Sequence, residues 1–102
     1  MKVNFSKAKV LDLDGNSFLD ENGVEVLANY KYLANTLAVA GNEQVAIPYL
    51  DRMEIAMKIN KGEVVDLEKP EQDAIKDYLQ NVRGFNGLHI KAFLSCLNET
   101  IK

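Results

Sequence analysis

One cysteine, one histidine and no tryptophan occur in these 102 residues. A single thiol closes no internal disulfide, so no disulfide framework holds the chain, and a lone thiol suits a reducing compartment. One histidine and one cysteine also exclude the usual Cys/His zinc sites within one chain. No glycine-rich phosphate loop can be written, neither G-x-x-x-x-G-K nor G-x-G-x-x-G. No apolar run approaches the ~20 residues of a membrane-spanning helix. The opening Met1-Lys2-Val3-Asn4-Phe5-Ser6-Lys7 lacks the apolar stretch of a secretory signal, so no such signal is expected. Basic charge is scarce as well: 12 Lys and Arg stand against 15 Asp and Glu, a net charge of -3. A general binder of phosphate backbones normally carries the opposite sign.

What remains is ordinary globular composition, 47% hydrophobic and 26% charged. Such a chain buries enough surface to offset its ordering entropy, so disorder is not expected. The length suits a single domain over residues 1–102. No internal repeat, low-complexity tract or Gly/Ser linker is read.

The first 26 residues read as extended. Val3 and Phe5 alternate with Lys2 and Asn4, and Val10, Leu11 and Leu13 follow. Asp14-Gly15-Asn16 and Asn22-Gly23 are turn signals, because Gly and Asn accept positive φ. Two or three short strands are expected, in a β-hairpin or small antiparallel meander. About four helices follow. The first is expected from Leu27 to Ala40, with Tyr30, Leu33, Ala34, Leu37 and Ala38 on one face. The second starts at Pro48 and stops near Gly62, with Tyr49, Leu50, Met53, Ala56 and Met57 on one side and Ile55 and Ile59 on another. Apolar residues over so much of its girth point to a central helix. The third runs from Pro70 to near Gly84, burying Ala74, Ile75, Tyr78, Leu79 and Val82. The fourth spans Gly87 to Ile101, with Ile90, Phe93, Leu94, Leu97 and Ile101 in its stripe. Glu63-Val64-Val65-Asp66-Leu67 reads as one more short strand or an extended connector. A β-rich front and a helical body make the fold class α+β, with too few strands for a parallel nucleotide-binding sheet.

No catalytic constellation emerges. His89 and Cys96 are expected on one helix, about 20° apart around its axis and ~10 Å apart along it. A nucleophile and its base need contact at roughly 3 Å, so this pair is no dyad. Cys96 reads as a small apolar residue at a core edge, and His89 as an edge residue near a helix start. No cofactor is expected, and no enzyme.

Asp12 to Gly23 tempts toward a calcium loop. Asp12, Asp14, Asn16 and Asp20 fall at the first, third, fifth and ninth positions of an EF-hand-like loop, and Leu19 takes its apolar position. Ser17 stands where such a loop turns on glycine, and Gly23 where a bidentate glutamate closes the sphere. The competing reading is an acidic hairpin turn. Charge is uneven. Glu63, Asp66, Glu68, Glu71, Asp73 and Asp77 outnumber Lys69 and Lys76, whereas Lys2, Lys7 and Lys9 precede any acid. A helix-turn-helix fails on spacing, and Glu71, Asp73 and Asp77 would face phosphates.

Four segments carry a resemblance: Leu11-Asp12-Leu13-Asp14-Gly15-Asn16, Leu33-Ala34-Asn35-Thr36-Leu37-Ala38, Lys58 through Leu67, and Glu71 through Leu79. In this order they resemble small proteins encoded by phages, prophages and related mobile elements. The resemblance implies an accessory, cytoplasmic protein and brings no functional residues with it. Together the readings favour a protein–protein interaction module, through a protein partner or self-association. Tyr30 and Tyr32, on opposite sides of one helix, and Leu88, beside its helix's main stripe, are the candidate contact residues. The alternative is a nucleic-acid-associated regulator using Lys2, Lys7, Lys9, Arg83 and Lys91, which requires those side chains to converge. A weak calcium module at Asp12–Gly23 is the further alternative.

Overall fold

Two aspartates eight positions apart organise the front of the molecule. In the computed structural model, which describes residues 1–41, 43–82, 84 and 86–98, Asp12 Oδ1 accepts from the amides of Asp14 and Asn16. Asp20 Oδ1 accepts in the same way from Asn22 and Val24. Gly15 N–H donates to Asp12 O and Gly23 N–H to Asp20 O, and both glycines have positive φ, 88° and 77°. Each turn is thus an aspartate-capped type I turn followed by a left-handed glycine, which closes a three-residue hairpin loop.

The two hairpins meet in a three-way junction. Val10 N–H donates to Val26 O, Val26 N–H to Phe18 O, and Phe18 N–H back to Val10 O, at 2.9, 2.9 and 3.2 Å. Antiparallel bridges pair Leu11 with Ser17, Leu19 with Glu25, and Lys9 with Leu27. The first two pairings form the hairpin arms, and the third returns the chain to the body. The expectation of no internal repeat is corrected here. Val10-Leu11-Asp12-x-x-Gly15 recurs as Phe18-Leu19-Asp20-x-x-Gly23, and the two copies fold alike.

The expected strand at the start is shorter and pairs elsewhere. β1 is Lys2–Val3, and β2 is Val65–Asp66, within the segment that reads as strand or connector. They pair antiparallel, Lys2 with Asp66 and Val3 with Val65. Phe5 does not continue the strand: Phe5–Lys7 form a single 3-10 turn capped by Asn4, whose side chain accepts from Ser6 N–H.

Four helices follow: α1 at Tyr30–Val39, α2 at Tyr49–Asn60, α3 at Lys69–Asn81 and α4 at Gly87–Asn98. The layout is α+β, with antiparallel structure in front and helices behind, as the patterning predicts. α1 begins at Tyr30 rather than Leu27, because Leu27 and Ala28 belong to the β junction and Asn29 caps the helix, accepting from Tyr32 N–H. α3 opens with a capping box between Glu68 and Glu71, which satisfies donors at its first turn. Asn86 caps α4, accepting from Leu88 and His89 amides. Ile101, expected in the stripe of α4, lies outside the described residues.

α2 is not central. It packs chiefly on α1 through Ile55, Ala56 and Ile59, with Arg52 buried beside them. Leu50 is 79% exposed, and Tyr49 and Met57 are also exposed. Apolar residues on two sides do not oblige both sides to be covered. α1 and β2 cover one, and solvent takes the other. The core runs continuously from Val3 and Phe5 through Leu33, Leu37, Ile59, Leu67, Ile75 and Leu79 to Phe93 and Leu97. Phe5 and Phe93 meet edge to face with centroids 5.9 Å apart, which ties the front of the chain to α4. No helix among the described residues is long and apolar enough to cross a membrane.

Candidate functional site

The core contact between Phe5 and Phe93 leaves a groove beside it. The groove lies between residues 2–11 and α4 and has a volume of about 310 Å³. Val3, Ala8, Leu11, Leu88 and Ala92 give it an apolar lining, and Lys2, Lys7, Lys9 and Lys91 stand around it. The buried members Val3, Ala8 and Ala92 form its base, while the four lysines are exposed. No acidic side chain is among the lining residues described. Asn4, Ser95 and Cys96 complete the lining.

Local structure places each lysine. Lys2 projects from β1, whose neighbour Val3 points into the core. Lys7 ends the 3-10 turn. Lys9 sits in the return pairing of the β junction, and its Nζ binds Glu25 Oε1 at 2.9 Å. Lys91 reaches from α4 to the first hairpin arm, where its Nζ donates to Asp12 O at 3.4 Å. Hydrogen bonds from Ser17 and Lys9, and the Lys9 charge, hold the Glu25 carboxyl below the usual glutamate range. A carboxyl lowered on folding adds stability above its unfolded pKa, and that share is lost as pH falls through its folded value.

The chain therefore gathers Lys2, Lys7, Lys9 and Lys91, four of the five side chains that the basic-patch alternative requires to converge. Arg83, the fifth residue of that set, lies outside the described residues. Of the three candidate contact residues only Leu88 lines the groove. Tyr30 packs partly against the core, with Lys31 Nζ 5.7 Å from its ring centroid. Tyr32 is exposed on the other side of α1, its hydroxyl so close to Gly84 that a Cβ there would collide with it. The two tyrosines are apart, as their spacing predicts, and neither belongs to the groove.

The calcium-loop residues fall in two separate turns rather than one loop. Asp12 and Asp20 each turn an oxygen onto their own backbone amides, while Asp14 and Asn16 are exposed at the first turn. Among the described residues no group of three or more His, Cys, Asp or Glu could hold a metal ion. His89 Nδ1 accepts from Asn29 N–H at 3.2 Å, joining the start of α4 to the cap of α1. Cys96 is half-buried at the groove.

Sequence reasoning missed that the groove's apolar lining comes from two distant segments, residues 3–11 and 88–96. It also missed Arg52, 2% exposed on α2 with its guanidinium 5.5 Å from the Tyr49 ring centroid. The geometry defines a class, an α+β protein with a lysine-ringed apolar groove. Comparison with protein-family models, curated proteins and solved structures finds no match to this chain.

Proposed function

We propose that this is a small, cytoplasmic, non-enzymatic accessory protein that works as an interaction module. Its groove takes an acidic segment of a protein partner that carries an apolar side chain. The observation that carries this reading is the lining: four lysines, one of them paired with Glu25, stand around apolar residues, and no acidic residue is among the described lining residues, in a chain of net charge -3. Carboxylates arriving at the rim meet ammonium groups, which steers the encounter and fixes register. An apolar side chain placed between them gains roughly 25 cal/mol for each Å² it removes from water. The resemblance to phage and mobile-element proteins supports the accessory role.

The convergence of the lysines favours a second reading, a nucleic-acid-associated regulator. Against it, the described lining holds no arginine for base edges and no aromatic ring on which a base would stack.

Fluorescence anisotropy with a labelled peptide alternating Asp and Leu, beside a labelled DNA duplex at low salt, separates the two. The peptide is expected to bind, and Lys7→Glu with Lys91→Glu to weaken it about tenfold or more, a change of ~1.4 kcal/mol. Peptide affinity indifferent to that double reversal sinks the groove reading. Duplex binding with a steep salt dependence moves the function to the second reading.

A further inference from the structure

We propose that the occupant of the groove is the tip of the first hairpin arm, Asp12-Leu13-Asp14, of a second copy of this chain. This rests on the groove reading above and names the partner. Leu13 is 87% exposed, the most exposed large apolar side chain among the described residues. It stands between two aspartates, and residues 10–30 hold five acidic side chains and no basic one. The groove has the opposite make-up, lysines around an apolar base. Knob and socket thus match in charge and in polarity.

They also share one region of the surface. Leu11 lines the groove, Leu13 follows it two residues on, and Lys91 reaches from the groove to Asp12 O. The turn's own hydrogen bonds, Asp12 N–H to Asn16 O and Gly15 N–H to Asp12 O, hold Leu13 out in solvent. A two-fold axis beside the arm lets each copy seat its tip in the other's groove. Such a contact is isologous and closes on itself, with no tendency to run on as a filament.

Sedimentation velocity over a concentration series tests this. The unaltered chain is expected to dimerise. Lys2→Glu with Lys7→Glu places carboxylates opposite the acidic tip and leaves the Lys91 contact to Asp12 O in place, and Asp14→Lys places an ammonium opposite the lysines. Each variant alone is expected to weaken the dimer about tenfold or more. An equimolar mixture of the two is expected to recover it, because both contacts in the mixed dimer then join opposite charges. Leu13→Ser, at an exposed position that does not threaten folding, is expected to weaken the dimer by a similar factor. A chain that stays monomeric throughout, variants that dimerise like the parent, or a mixture that fails to recover overturns the inference. The anisotropy measurement separates the two failures. A monomer that still captures the Asp/Leu peptide removes this partner and leaves the groove reading standing, whereas a monomer that ignores the peptide removes both.

Discussion

Asp12 and Asp20 show how one side chain can set a local fold. Each folds an oxygen back onto two amides of its own turn, so the chain reverses twice without a large apolar core at either bend. Gly15 finishes the first turn at φ 88°, and a Cβ added there would have nothing within 4 Å of it, so its requirement is conformational and not steric crowding. Gly15→Ala is therefore expected to cost ~1 kcal/mol, the left-handed penalty of an L-residue. Gly15→Asn is expected to cost less, since asparagine tolerates that region. Urea unfolding of the two variants beside the parent checks the order; equal stabilities would mean the turn rearranges freely.

At the scale of the element, α2 is informative because its pattern allows two burials and the fold uses one. Ile59 is 1% exposed, and Leu50 on the far side is 79% exposed. Ile59→Ala is expected to destabilise by ~2–5 kcal/mol, through lost transfer energy and the cavity left behind. Leu50→Gln is expected to stay within about 0.5 kcal/mol of the parent, as surface changes do. Denaturant midpoints read both, and a large loss at Leu50 would mean that its side is covered in solution. The same lesson holds at the start of α1. Helical spacing reaches back to Leu27, yet the antiparallel bridge from Lys9 claims that residue first.

For the whole molecule, the groove depends on closing the front of the chain onto its end. Phe5 and Phe93 form that joint at 5.9 Å, and β1 on β2 fastens the other flank of the front segment. Phe5→Ala and Phe93→Ala are each expected to cost ~3–5 kcal/mol, with a coupling of ~0.5–1.5 kcal/mol in the double-mutant cycle from the ring contact. Calorimetric or denaturant unfolding of the four species measures it. Strict additivity would show that the joint is not a single packed unit.

The amino-acid sequence by itself determined the α+β class, the four helices and both turns. These depend on short-range physics: apolar spacing along a helix, capping side chains, and glycine where φ is positive. The octad repeat was also readable, in Val10-Leu11-Asp12-x-x-Gly15 and Phe18-Leu19-Asp20-x-x-Gly23, but turn signals taken one at a time hide it. Only the tertiary structure decided the partner of β1, the exposed side of α2 and the gathering of Lys2, Lys7, Lys9 and Lys91. The first and last of these join residues some sixty to ninety positions apart, and the second sets α2 against α1 and β2. No local preference encodes them, because they follow from how the whole chain buries its apolar side chains at once.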